Sequence, residues 1–303
     1  MLAVLTLAGY AILDEQSLTV GMLFAFLSYR GYFSERMRSA VDMVVQVRTL
    51  RSHLTRLEDI WLTAPEPGWS GGQTDFDGTL SLRDIRFGYN QGSVPVLDKV
   101  ELTIAAGEFV AIVGASGAGK STLLRLLMGL EQPQQGQVLA GSVKLTPEAA
   151  LKFRRVCGCV LQEDGFFAGS LMDNIALFDS VSEQHVWTVL ERVGMERVVR
   201  DLPLGLRTQL GDIDSQLSSG QMQRLYLARA IFRQPRYLFL DEGTAHLDVT
   251  QARKIEDLVQ ALPMTRIVVT HSERFAERAD RVIEMVDGHL VPYKNTEKVL
   301  SAG

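Results

Sequence analysis

The distribution of apolar positions divides the chain into three stretches. Residues 1–13 are apolar, Asp14 and Glu15 interrupt them, and residues 16–29 again carry no charge. From residue 30 to 62 the pattern is amphipathic. Met37, Val41, Val44, Leu50, Leu54, Leu57 and Trp61 recur at helical spacing among Arg30, Arg36, Arg38, Arg48, Arg51 and Arg56. Pro and Gly break the pattern in APEPGWSGG, residues 64–72. Beyond it, strand-like and helix-like segments alternate. The pattern predicts helices over 1–62, a linker over 63–78 and one α/β domain over 79–303.

Each N-terminal apolar run has about 14 residues, whereas a membrane span needs about 20. No basic segment precedes the first run and no small-residue cleavage site follows it, so it does not read as a signal peptide. Two readings remain. One is the end of a membrane domain, a helical hairpin turning at Asp14-Glu15 whose second helix runs on into the cytoplasm. The other is a hydrophobic hairpin in water. Arginines just beyond Tyr29 mark a cytoplasmic helix end and favour the first. A net charge of −5 provides no basic field for nucleic acid. The two cysteines, Cys157 and Cys159, share one face of a strand-like VCGCV, roughly 6.5–7 Å apart along it. They read as reduced, small core residues.

The sharpest local signal is GASGAGKST, residues 114–122. It follows FVAIV (109–113), a continuous apolar run of the buried parallel-strand type, and precedes a Leu-rich helical stretch. Gly114, Gly117 and Gly119 let the backbone turn tightly and approach a ligand. Backbone N–H groups of Ala115, Ser116 and Ala118, and of the helix start at Lys120, Ser121 and Thr122, then face phosphate oxygens. Lys120 sets a cation against the β- and γ-phosphates, and the Ser121 hydroxyl is a hard ligand for Mg²⁺. Further on, YLFLDE (237–242) is an apolar strand ending in two carboxylates, where open α/β sheets bind ligands. Asp241 suits a Mg²⁺ ligand there, and Glu242 suits a base that polarises water. His271, after the strand-like RIVVT (266–270), is by spacing alone either a structural hydrogen-bonding residue or a catalytic one.

The ordered motifs resemble the ABC ATPase family from Leu80 to about Pro292. Besides the phosphate loop and Leu240-Asp241-Glu242, Leu217-Ser218-Ser219-Gly220-Gln221 resembles the family's signature segment, followed by MQRLYLARAI. Gln162 in VLQED is similar to the Q-loop glutamine, Ala245-His246-Leu247-Asp248 to the D-loop, and His271 to the switch histidine. Tyr89 in RFGYNQG stands where the family stacks an aromatic on adenine. The resemblance implies a P-loop fold with a mixed or parallel sheet and an α-helical subdomain, binding ATP with Mg²⁺. Glu242, His271 and Gln162 would be catalytic, and Ser121, Gln162 and Asp241 would hold the metal. A second copy would close each site in trans with Ser218, Ser219, Gly220, Gln221 and Asp248. Ser219 replaces the family's usual Gly; were φ > 0 required there, its Cβ would cost about 1 kcal/mol. Gly243 replaces the usual Ala and keeps the position small.

LTVGMLFAFLSYRGYFSERMRS is similar to the last membrane helix of the peptidase-containing exporters of double-glycine peptides, the colicin V and lactococcin type. HLTRLEDIWLTAPE, VLQEDGFFAGSLMDNIALFD, LDEGTAHLD and LPMTRIVVTH repeat that similarity. The resemblance implies an ATPase at the bacterial inner membrane, with a transmembrane domain, a homodimeric partner and peptide cargo. The chain is then expected to be an N-terminally truncated form of such an exporter, without the peptidase. Phe166, Phe167 and Leu171 fall near the family's docking surface for the membrane domain, or else pack in the core. The rival readings are a soluble ABC switch unrelated to transport and an inactive transporter remnant.

Overall fold

The computed structural model describes residues 19–62, 76–90, 94–210, 217–243, 247 and 249–293. The chain divides into two compact units, residues 1–65 and 66–303. In the first, one helix, α1 (Val20–Leu62), runs unbroken for 43 residues, about 65 Å at 1.5 Å per residue. It joins the apolar run to the arginine-rich stretch, as the helical stripe predicts. Among the described residues, however, no helix is long and apolar enough to cross a membrane. Arg30, Glu35 and Arg36 end the uncharged stretch after one or two turns too few. The expected first hairpin helix, over 1–13, lies outside the described residues.

The second unit begins with β1 (Leu80–Phe87), β2 (Leu97–Ile104) and β3 (Phe109–Gly114), then α2 (Lys120–Leu127). Next come β4 (Gln135–Ala140), β5 (Val143–Lys144), α3 (Pro147–Arg155), β6 (Cys157–Val160) and β7 (Gly169–Ser170). A helical part follows: α4 (Leu171–Ala176), α5 (Glu183–Arg192), α6 (Glu196–Arg200), β8 (Gln209–Leu210) and α7 (Ser219–Ile231). The chain returns through β9 (Tyr237–Asp241), α8 (Val249–Gln260), β10 (Thr265–Val269), α9 (Glu273–Ala276), β11 (Arg281–Val286) and β12 (His289–Pro292). Phe76 and Gly78, which the sequence pattern groups with the linker, pack in this unit. Phe76 is buried and Gly78 N donates to the Tyr237 hydroxyl at 3.0 Å.

Two sheets carry the unit. An antiparallel one has the order β2-β1-β4-β5, and a six-stranded one has the order β12-β11-β3-β10-β9-β6, parallel except for β12. The period of two along the central strands explains their unbroken apolar runs. Leu238, Leu240 and Val268 face one core, shared with α4, α5 and α7. Tyr237, Phe239, Val110, Ile112, Ile267 and Val269 face another, shared with the antiparallel sheet and α2. With both faces covered, no polar side is left to produce alternation.

Helix starts are set locally. Thr146 caps α3 with Pro147 in its first turn, and Ser170 with Asp173 forms a capping box on α4. Cys157 is half-buried, packs against the core and donates from Sγ to the Phe153 carbonyl at 3.2 Å. The expectation of two core thiols is corrected for Cys159, which is exposed because β6 is the edge strand and meets a surface cleft there.

Candidate functional site

Parallel register decides which strand ends meet. Ile112 of β3 and Asp241 of β9 both pair with Val269 of β10, and Val160 of β6 pairs with Leu240. The carboxyl ends of β3, β10, β9 and β6 therefore lie side by side. They carry, in that order, the glycine loop, His271, the Asp241-Glu242 pair and Gln162. Residues more than a hundred positions apart share one edge because a parallel sheet brings each strand's C-terminus to the same side.

The loop turns at Gly114 (φ 144), Gly117 (φ 79) and Gly119 (φ 104). A Cβ on Gly114 would run into the Met285 carbonyl of β11, whereas one on Gly117 would meet open space. Ala115, Ser116 and Gly117 are exposed, and Ala118 and Gly119 lead into α2. Gly119 caps α2 with no side-chain bond, so the first N–H groups of the helix have no partner within it. Lys120 is buried and donates from Nζ to the Gly114 and Ala115 carbonyls at 2.9 and 2.8 Å. Burial pulls its ammonium below the ordinary value, opposed by Glu242 and Asp241. Tyr89, exposed over half its surface, reaches Thr122 Oγ1 with its hydroxyl at 3.1 Å. Its ring packs edge-on against Phe87, the ring centroids 5.1 Å apart.

Asp241 is buried at the end of β9 beside Ser121, whose hydroxyl donates to it. Burial pushes its carboxyl above the ordinary range and the neighbouring Glu242 adds to this; the Ser121 hydrogen bond and Lys120 pull against it. Its Oδ1 has no hydrogen-bond partner among the described residues. An orphaned carboxylate oxygen next to a hydroxyl and a phosphate loop fits a hard divalent cation. Glu242 has a left-handed backbone, φ 54, held by its N–H on the Val269 carbonyl at 3.0 Å. Such a conformation in a non-glycine residue costs about 1–2 kcal/mol and gathers at functional sites. It turns the side chain to His271, whose Nε2 lies 3.0 Å from Glu242 Oε1.

The signature-like residues have a local task. Ser218 caps α7: its Oγ accepts from Gln221 N at 3.3 Å, while Gln221 Oε1 accepts from Ser218 N at 2.8 Å. Ser219 begins the helix with a helical backbone and is absent from the positive-φ residues. The feared strain at this position does not arise, because a first-turn helical residue carries a Cβ freely. Gly220 lies under Gln251 of α8, where a Cβ would come within 3.1 Å. Asp248 lies outside the described residues.

Of the three residues read as either docking surface or core, Leu171 is fully buried and Phe166 packs against the core, while Phe167 is exposed. One feature escapes sequence reasoning. Arg229 of α7, 7% exposed, donates to the Gly165 carbonyl at 2.7 Å and pairs with Asp164. It ties the helix that starts at Ser218 to the loop that follows Gln162. An arginine in the otherwise apolar LARAI was the available signal.

Residues 97–245 match the ABC transporter family model. The chain carries a domain of the ABC transporter family. Among curated relatives, this chain is 34% identical over 287 residues to the probable microcin-H47 secretion/processing ATP-binding protein of Escherichia coli. That alignment covers 93% of this chain and 41% of the relative. It is also 34% identical to the colicin V secretion/processing ATP-binding protein of the same organism, over 94% of this chain and 41% of that one. The mycobactin import ATP-binding/permease protein of Mycobacterium bovis is 33% identical over 100% of this chain and 53% of its own length. The chain thus spans about two fifths to one half of the curated relatives it matches. A solved bacterial Atm1-family ABC exporter with ATP bound superimposes with a TM-score of 0.72 at 25% identity, over 85% of this chain and 46% of that one.

Proposed function

We propose that the chain binds and hydrolyses Mg-ATP between two copies of its ABC domain and powers transport at the bacterial inner membrane. The observation that carries this is the single sheet edge shared by the phosphate loop, Gln162, Asp241, Glu242 and His271. ATP would lie on the loop, with its adenine against the exposed face of Tyr89 and its phosphates against Lys120 and the start of α2. Ser121 and Asp241, with Gln162 from the neighbouring strand end, would hold Mg²⁺, which would supply neutralisation of phosphate charge. Glu242 accepts the proton of the attacking water as its oxygen bonds to the γ-phosphorus and the bridging oxygen leaves with the β-phosphate. His271 holds Glu242 in place. The Ser218 hydroxyl, Ser219 and the Gly220 backbone of the second copy, with Gln221 as cap and Asp248 alongside, would complete the γ-phosphate shell. Closure of the dimer would then depend on an intact triphosphate.

Secretion proteins for microcin and colicin among the relatives support export of a peptide. α1 would be the inner end of a membrane domain that the relatives' greater length accommodates. Import is the second reading, favoured by the mycobactin relative that matches the whole chain. Phosphate release by the purified full chain in Mg-ATP tests the core of the proposal. Specific activity should rise with protein concentration, and Lys120→Ala should abolish it. A wild-type chain that releases no phosphate at any concentration would refute the ATPase reading.

A further inference from the structure

Glu256 is a carboxylate with no solvent access, on the same buried face of α8 as Ala252, Ile255 and Val259. A buried charge is tolerated only when paired. Its Oε1 accepts from Arg274 Nη2 at 2.8 Å, and its Oε2 stands 3.8 Å from Arg278 Nε. Among the described residues Oε2 accepts no hydrogen bond. Arg278 is further engaged by Asp257 and Gln260. Arg274 is thus the partner that Glu256 holds most directly.

Arg274 belongs to α9, a helix of four residues. A helix that short has no stability of its own and stays where its neighbours place it. Besides the contacts of Arg278 just beyond it with Asp257 and Gln260, three ties place it. Ser272 caps it through the Phe275 N–H at 3.3 Å, Phe275 is buried edge-on against Phe109, and Arg274 is clamped to Glu256. His271 precedes the cap directly. The Thr270 hydroxyl accepts from Ser272 N at 3.0 Å, so the chain from strand end to α9 is short and taut. The position of α9 therefore sets the reach of the imidazole toward Glu242.

We propose that Glu256 and Arg274 are positioning residues for His271: their ion pair, buried at the carboxylate and partly exposed at the guanidinium, sets α9 against α8 and so holds the His271–Glu242 contact. For its catalytic consequence this rests on the ATPase reading above. Neither side chain touches substrate; both act through the turn that carries the imidazole. Because α8 begins at Val249, immediately beyond the D-loop-like segment, any displacement of α8 is passed to His271 through this pair.

The test uses the full chain with Arg274→Met, Arg274→Lys, and the double apolar variant Glu256→Met with Arg274→Met. Arg274→Met should lower kcat about tenfold with the KM for ATP changed less than about twofold, and Arg274→Lys should recover most of the loss. The double variant should melt at or above the wild type, since it removes the buried carboxylate together with its partner, yet remain slow. In a His271→Ala background, Arg274→Met should have no further effect, because the two changes remove one function. A double variant with wild-type Tm and wild-type kcat, or additive losses with His271→Ala, would overturn the proposal. Independently of turnover, the His271 imidazole resonances should move in Arg274→Met. Unmoved resonances would also overturn it. A wild-type chain without phosphate release would sink the ATPase reading and leave the imidazole test standing.

Discussion

Replacing Glu242 by Gln exchanges one proton-accepting oxygen for an amide nitrogen and keeps the length of the side chain. Its effects on folding and on turnover separate cleanly. The left-handed backbone at φ 54 is carried equally by Glu and Gln, so its strain of about 1–2 kcal/mol does not change. The hydrogen bond to His271 Nε2 at 3.0 Å can pass to the amide oxygen and loses only its charge assistance, about 1 kcal/mol. The side chain is 20% exposed, so its desolvation changes little. The expected fall in Tm is about 2–4 °C at most. Loss of the general base lowers turnover by about 10²–10⁴, or about 2.7–5.5 kcal/mol on the barrier. The assay pairs initial rates of phosphate release in Mg-ATP with thermal melting and size-exclusion chromatography. The expected result is a folded protein that binds ATP, elutes as a dimer in its presence and turns over at least about a hundredfold more slowly. Turnover within about threefold of wild type, with the fold intact, would remove Glu242 from the mechanism.

Three further outcomes are expected. Ser219→Gly should cost up to about 0.5 kcal/mol in urea unfolding, as a helical residue, and bring no gain in turnover; a tenfold gain would restore the strain argument at that position. Tyr89→Ala should raise the KM for ATP about tenfold through lost stacking while kcat holds, measured by steady-state kinetics; an unchanged KM would place adenine elsewhere. Burial holds the Asp241 carboxyl above its ordinary value of 3.8, so between that pH and its native value the folded state keeps a proton the unfolded chain has lost. Its contribution favours folding on the acid side and is lost as pH rises through the native value. Asp241→Asn should therefore melt no lower than wild type at neutral pH without Mg²⁺, show a flatter Tm across that window, and gain less from Mg-ATP. A variant clearly less stable than wild type under metal-free neutral conditions would contradict this.

Much of the site was legible because its chemistry is local. Phosphate binding needs glycines, a lysine and a helix start within a few consecutive residues, so residues 114–122 announce it by themselves. Glu242 and His271 each follow an apolar strand, and strand ends are readable from composition. The capping box of Ser218 and Gln221 likewise spans only four positions, though its local role was hidden behind the resemblance to a signature segment. The apolar and charge patterns settled less about the N-terminal stretch: they predict helices over 1–62 and leave their relation to a membrane open, since length and apolarity fall short of a span.

By itself, then, the order of residues determined which segments become strands and helices, where the phosphate loop turns, and which side chains have the chemistry for ATP and Mg²⁺. Only the tertiary structure decided that Ser219 is unstrained, that Leu171 belongs to the core while Phe167 faces outward, and that Arg229 and Glu256 are each neutralised by a partner on another element. The reason is physical. Periodicity and turn chemistry act over a few residues and survive in the sequence, whereas burial, register and charge pairing depend on strands such as β3, β9 and β10. These lie far apart along the chain and become neighbours only when the parallel sheet forms.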